Sequence, residues 1–262
     1  MASLLFNPGD DPGPSFLELL RRADALPAVP EASGDRLTYT HGTTVVAIRY
    51  ADGVVMGGDR RATSGFTIAS RRIEKVFPAD EHSVVGIAGV AAQAVELVRL
   101  FQTELEHYEK VEGDTLSLEG KANRLGQMIR GSLPLVMQGL VVVPIYGGFD
   151  TRRGEGRLFR YDAIGGRYDE ADYNATGSGS RDAKASLKKR WRPGMARQEA
   201  VEAAVESLLD ASEADTATGG PDPVRGIFPS VHLVTAQGVD EVPPEEVRTA
   251  FEAVLGHREG AS

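Results

Sequence analysis

The sequence predicts an α+β fold in which antiparallel sheets stack face to face and helices cover their outer sides. Strand and helix patterns come in blocks: strands, two helices, strands, two helices, one strand and one helix. Hairpin connections join many of the strands, which favours antiparallel sheets over alternating strand–helix–strand units. We find no internal repeat.

The first block contains four strand patterns. Residues 43–50 alternate around Val46, Ile48 and Tyr50, and a turn at residues 51–53 leads into a second strand over residues 54–56. Residues 73–77 and 83–88 are predicted as further strands.

Two helices are predicted next. Apolar residues recur at helical spacing from Ala91 to Tyr108, and Asp114-Thr115 is a candidate cap for a second helix that runs to about Met137. The later elements follow in order: strands at 140–146, 157–162 and 168–176, helices at 180–189 and 198–211, a strand at 227–235 and a helix at 244–255.

Residues 1–42 form a compositionally separate region. This region contains five prolines, and its only helical pattern covers Ser15–Ala25. The rest is expected to be flexible or extended. The composition changes at Gly42, so we place a boundary between residues 1–42 and 43–262.

Charge and composition exclude several functions. The formal net charge is −9, which argues against a partner with a polyanionic surface, whether nucleic acid or an anionic membrane. The chain has no cysteine, so thiol nucleophiles, thiolate metal sites and disulfides are excluded. No apolar run approaches a membrane span, and the first residues lack a secretory pattern. The expected location is the cytoplasm.

The remaining chemistry centres on hydroxyl groups. Motifs for phosphate loops, zinc proteases and serine hydrolase elbows are absent, and the five histidines share no motif. A threonine at the start of a chain has its own base, because its α-amine titrates near pH ~8. Cleavage between Gly42 and Thr43 would create such a residue. Taken alone, Gly42-Thr43-Thr44 favours the start of an ordinary strand over a cleavage site, because threonine is common in strands.

Six motifs in register resemble the β subunits of the proteasome core particle, with most similarity to the actinobacterial branch. The motifs are Thr43-Thr44-Val45-Val46, Gly58-Asp59-Arg60-Arg61-Ala62-Thr63, Lys75, Gly86-Ile87-Ala88-Gly89, Gly177-Ser178-Gly179-Ser180 and Asp215-Thr216-Ala217-Thr218-Gly219-Gly220. The resemblance covers essentially the whole chain from Thr43. It implies the four-layer αββα sandwich of the N-terminal nucleophile hydrolases.

The resemblance also implies site residues. Thr43 matches the nucleophile released by self-cleavage after Gly42, and Asp59 with Lys75 matches the pair that sets its protonation. Gly89 matches the oxyanion donor, which acts through its backbone N–H. The group around the threonine amine is matched by Ser178, Asp215 and Thr218, although the family often has serine in place of Thr218.

The substrate-binding positions are mostly apolar. Thr63 matches the residue that holds substrate backbone in an extended arrangement. The walls of the specificity pocket are matched by Ala62, Ile73, Phe77, Ile87, Ala91 and Val95. These walls predict a preference for apolar or aromatic side chains before the scissile bond.

The function implied is that of a threonine endopeptidase made as a precursor, which needs no cofactor. Its implied partners are proteasome α subunits, other β subunits in seven-membered rings and an ATP-dependent unfoldase, with tagged polypeptides as substrates. Two alternatives stay open. One is the two-ring bacterial threonine protease partnered by a hexameric unfoldase, which the Asp59-Arg60-Arg61 segment fits less well. The other is a non-catalytic ring subunit of the same fold.

Overall fold

Two five-stranded antiparallel sheets form the centre of the fold in the computed structural model, which describes residues 42–64 and 67–260. The strands are β1 (Thr44–Tyr50), β2 (Gly53–Gly58), β3 (Ala62–Ser64), β4 (Thr67–Ser70), β5 (Val76–Asp80), β6 (Ser83–Gly89), β7 (Val142–Asp150), β8 (Glu155–Tyr161), β9 (Arg167–Glu170), β10 (Tyr173–Gly177), β11 (Ser230–Thr235) and β12 (Gly238–Glu241). The helices are α1 (Ala91–Glu112), α2 (Leu118–Gly131), α3 (Leu133–Met137), α4 (Ser180–Arg190), α5 (Arg197–Ala214) and α6 (Pro244–Gly260).

The first sheet has the strand order β10-β1-β2-β11-β12, and the second has the order β5-β6-β7-β8-β9. Strands β3 and β4 form a separate hairpin. None of the helices in residues 42–64 and 67–260 is long and apolar enough to span a bilayer.

Strand β1 shows how the sequence produces four layers. Successive side chains of a strand point to opposite faces of its sheet. Val45 and Ala47 therefore pack into the core between the sheets, while Val46 and Ile48 pack into a core on the outer side. That outer core contains residues of α4, α5 and α6, and a third core joins the second sheet to α1 and α2. The predicted αββα sandwich is confirmed.

Several predicted boundaries are wrong because tertiary packing divides continuous patterns. The predicted helix that ends near Met137 is two helices, separated at Ser132. Its cap is Ser117, whose Oγ accepts a hydrogen bond from Gly120 N at 3.1 Å. The Asp114 carboxylate instead accepts a hydrogen bond from the N–H of the next residue, Thr115.

The predicted strand over residues 168–176 is two strands in different sheets. Strand β9 pairs with β8 in the second sheet, whereas β10 pairs with β1 in the first. The late strand begins at Ser230 and not at residue 227, and the β3–β4 hairpin and β12 were not predicted. The predicted helix over Ser15–Ala25 lies outside the described residues.

Strand pairing brings three chain segments to one edge of the first sheet. Because β1 is antiparallel to both neighbours, its start lies beside the end of β2 and the end of β10. Val45 is paired with Gly58, and Thr44 is paired with Gly177. Residues just outside these strand ends are therefore held close together in space.

The outer core yields a prediction about stability. Leu208 on α5 is fully buried, whereas Leu100 on α1 is 52% exposed. We expect Leu208→Ala to lower the free energy of unfolding by about 2–5 kcal/mol, because it leaves a cavity. Leu100→Ala should change it by less than about 0.5 kcal/mol. Urea unfolding of both variants checks this, and equal losses would contradict the assignment of Leu208 to the core.

Candidate active site

A buried aspartate lies at the centre of the site. Asp59 follows the end of β2 and is 0% exposed. Its Oδ1 accepts hydrogen bonds from Lys75 Nζ at 2.6 Å and Thr44 N at 2.8 Å. Its Oδ2 accepts from Gly219 N at 2.8 Å and Arg61 N at 2.9 Å. Four donors compensate the loss of water, so the carboxylate is held in one orientation.

Lys75 connects this carboxylate to the chain junction at residue 42. Its side chain is 5% exposed, and Nζ also donates to the Gly42 carbonyl oxygen at 3.3 Å. Burial lowers the pKa of Lys75, and the attraction of Asp59 opposes this shift without cancelling it.

The prediction that Lys75 lies within a strand is wrong. Strand β5 begins one residue later, at Val76. The Lys75 carbonyl still accepts a hydrogen bond from Ile87 N at 2.8 Å, which anchors this segment to β6. Gly58 leaves room for the lysine, since a Cβ at that position would lie 3.2 Å from the Lys75 Cβ.

The Gly42–Thr43 junction is fixed from both sides. Gly42 N donates to Thr63 Oγ1 at 3.4 Å, and Thr43 N donates to Ser178 Oγ at 3.3 Å. The Thr43 carbonyl accepts from Ser178 N at 2.9 Å. Residue 42 must be glycine for this arrangement, because a Cβ there would lie 1.8 Å from the Ala217 Cβ.

A second carboxylate lies on the other side of Thr43. Asp215 directly follows α5, and its Oδ2 accepts hydrogen bonds from Ser178 Oγ and from Thr218 Oγ1, the latter at 2.6 Å. Burial alone would raise the pKa of Asp215, but the donors Ser178 and Thr218 and nearby backbone amides outweigh it and lower the pKa.

An apolar pocket opens beside the junction. It has about 370 Å³ of empty space, part of it open to solvent. Its lining contains all of the predicted wall positions, together with the predicted oxyanion donor: Ala62, Ile73, Phe77, Ile87, Gly89, Ala91 and Val95. Gly42, Thr43 and Lys75 also border it, and Thr63 does not.

Sequence reasoning missed several residues at the site. Arg61, Glu74 and Ala94 line the pocket as well. Gly219 N and Thr44 N both donate to Asp59. Every residue except proline has a backbone N–H, so the residue type gives no sign of which backbone N–H will bind the carboxylate. The contacts of the Thr44 hydroxyl were also missed, although Thr44 lies in a motif that was noted.

The fold is of the N-terminal nucleophile hydrolase type. A family model of proteasome subunits matches residues 39–224. The chain is 54% identical over 263 aligned positions to the proteasome subunit beta of Acidimicrobium ferrooxidans. The alignment covers 98% of this chain and 96% of that protein. The chain therefore belongs to the proteasome subunit family, and the predicted resemblance to actinobacterial β subunits is confirmed.

The buried ion pair yields a stability prediction. We expect Lys75→Met to lower the free energy of unfolding by about 3–5 kcal/mol, because it leaves the Asp59 charge buried without its cation. The double variant Asp59→Asn/Lys75→Met should lose less. Denaturant unfolding checks both.

The control is Lys110→Met, since Lys110 forms an exposed pair with Glu106. This variant should match the unmodified chain. If Lys75→Met were as stable as the control, the buried Asp59 carboxylate would not depend on the Lys75 cation, and the prediction would be wrong.

Proposed function

We propose that this chain is a catalytic β subunit of the proteasome core particle, a threonine endopeptidase that begins at Thr43 after removal of residues 1–42. One observation carries the proposal: Lys75 Nζ contacts both the Asp59 carboxylate and the carbonyl oxygen of Gly42, the residue before Thr43. A buried cation that contacts the carbonyl oxygen before a threonine is suited to acyl transfer at that carbonyl.

The proposal includes self-cleavage between Gly42 and Thr43. The Thr43 hydroxyl oxygen attacks the Gly42 carbonyl carbon, and negative charge develops on the carbonyl oxygen that Lys75 contacts. The carbon–nitrogen bond then breaks, the Thr43 nitrogen takes the hydroxyl proton, and an ester joins Gly42 to Thr43. Water hydrolyses the ester, which leaves a carboxylate on Gly42 and a free hydroxyl and amine on Thr43.

The same groups then act on substrates. The free Thr43 amine takes the proton from its own hydroxyl, whose oxygen attacks the substrate carbonyl carbon. The proton passes to the leaving amine as the peptide bond breaks, and water then hydrolyses the ester that joins the substrate acyl group to Thr43. Lys75 disfavours protonation of that amine, since a nearby cation lowers its pKa. Ser178, Asp215 and Thr218 hold the amine, whose nitrogen already lies 3.3 Å from Ser178 Oγ. The Gly89 N–H stabilises the oxyanion.

The pocket supports a preference for apolar side chains. Ile73, Phe77, Ile87 and Val95 would contact the residue before the scissile bond. Thr63 would hold the substrate backbone extended, as it now accepts a hydrogen bond from Gly42 N.

The proposed setting is a barrel of seven-membered rings in the cytoplasm. Two β rings lie between two rings of proteasome α subunits, and an ATP-dependent unfoldase feeds tagged, unfolded polypeptides through the α rings. The similarity to a named proteasome subunit beta supports the β position. The enclosed chamber would keep Thr43 away from folded proteins.

Intact mass of the assembled particle tests the proposal. A chain that begins at Thr43, together with α subunits, supports it. A non-catalytic ring subunit would keep residues 1–42, and a two-ring protease would lack α subunits.

The nucleophile yields a prediction about processing. Thr43→Ala should keep residues 1–42 and lose peptidase activity, because it removes the attacking oxygen. Intact mass and peptide hydrolysis of purified particles measure both effects. Thr249→Ala on the exposed face of α6 is the control and should be processed normally. Cleavage after Gly42 in homogeneous Thr43→Ala particles would show that another group performs it.

The pocket yields a prediction about specificity. Ala91→Leu should fill part of the pocket and lower kcat/KM by about tenfold or more for peptides with leucine before the scissile bond. Peptides with alanine there should lose less. The neighbouring Ala92 is exposed, so Ala92→Leu should leave kcat/KM unchanged for both peptides. An equal loss on both peptides in Ala91→Leu would argue against this pocket as the specificity site.

A further inference from the structure

The hydroxyl of Thr44 is buried beside the site, and the mechanism above does not use it. Thr44 is 0% exposed. Its Oγ1 accepts a hydrogen bond from Gly179 N at 3.0 Å and lies 2.6 Å from Thr218 Oγ1. Thr44 therefore touches one of the groups proposed to hold the threonine amine.

The direction of the Thr44–Thr218 hydrogen bond follows from the number of protons. An ionised carboxylate only accepts hydrogen bonds, so Thr218 must use its single hydroxyl proton to donate to Asp215. Thr44 is then the donor to Thr218. The result is a directed chain from Gly179 N through Thr44 and Thr218 to Asp215, in which each bond polarises the next.

Local packing leaves little freedom in this chain. A Cβ at residue 179 would lie 2.6 Å from Thr44 Oγ1 and 2.9 Å from Thr218 Oγ1. The two hydroxyls thus occupy space that a side chain at residue 179 would need. The Thr44 hydroxyl therefore accepts one hydrogen bond, from Gly179 N, and donates one, to Thr218 Oγ1.

Thr44 also contacts the other carboxylate. Its backbone N donates to Asp59 Oδ1 at 2.8 Å, on the same oxygen that binds Lys75. One residue therefore links the Asp59–Lys75 pair to the Asp215–Thr218 pair, and it is bonded directly to Thr43.

We propose that Thr44 is a positioning residue for the reaction of Thr43. Its hydroxyl orients Thr218 and, through Thr218, the Asp215 carboxylate that accepts a hydrogen bond from Ser178. This inference rests on the proposed function. The Thr44 hydroxyl would align Thr218 and Asp215, which are proposed to hold the Thr43 amine. The Thr44 backbone N–H would align Asp59, which binds Lys75.

The test compares Thr44→Val with Thr44→Ser in the assembled particle. Valine keeps the branched shape and removes the hydroxyl, whereas serine keeps the hydroxyl and removes the methyl group. Rates of removal of residues 1–42, kcat and KM on one peptide, the pH dependence of kcat and thermal midpoints are measured for both variants and the unmodified chain.

We expect Thr44→Val to lower kcat and the processing rate about tenfold, because buried partners lose a hydrogen bond. KM should stay within about twofold, since Thr44 does not line the substrate pocket. The acid limb of the kcat profile should move to lower pH, because that limb reports the Thr43 amine, and a less well-aligned Ser178 and Asp215 stabilise its protonated form less. Thr44→Ser should keep kcat within about threefold and keep the original acid limb.

Three outcomes would overturn the proposal. These are an unchanged kcat and pH profile in Thr44→Val, an equal loss in both variants, or additive losses of kcat when Thr44→Val is combined with Thr218→Val. If Thr44→Val does not assemble, Thr44→Ala replaces it. Failure of both while Thr44→Ser assembles would show a structural role instead.

A failure of the proposed function is distinguishable from these outcomes. In that case the unmodified particle itself would keep residues 1–42 and show no peptidase activity.

Discussion

The site depends on one buried carboxylate that receives four hydrogen bonds. An ionised aspartate without water is costly unless donors replace the water, and Asp59 finds them in three other segments of the chain and at Arg61 in its own. Lys75 supplies the only side chain among these four donors, and the others are backbone amides. The need to compensate one charge thus holds the start of β1, the segment before β5 and the loop at Gly219 in a single arrangement.

This arrangement requires unusually close approach of backbone segments. Gly177 has a φ of 102°, and a Cβ there would lie 1.8 Å from the Thr43 carbonyl oxygen. At Gly42 a side chain would collide with Ala217 in the same way. The absence of side chains at these positions allows the junction before Thr43 to lie among Lys75, Ser178 and Thr63.

The two sheets contribute different halves of the site. Thr43, Asp59 and Ser178 lie at strand ends of the first sheet, whereas Lys75 and Gly89 lie at strand ends of the second. The core between the sheets therefore sets the distance between the proposed nucleophile and its cation. Gly86 on β6 lets the two sheets approach closely at this point, since a Cβ there would lie 2.4 Å from a methyl carbon of Val45.

The sequence by itself determined most of the elements and the layered class, and six motifs in register indicated the candidate chemistry through their resemblance to a known family. Period-two and helical patterns report which face of an element is apolar, and the lack of cysteine together with Gly42-Thr43 narrows the chemistry. Only the tertiary structure decided that residues 168–176 divide between two sheets, that Lys75 lies outside its strand, and that Thr44 contacts both carboxylates. Patterning is local, whereas strand partners and backbone donors are set by distant segments, and a backbone N–H has no residue type by which it could be recognised.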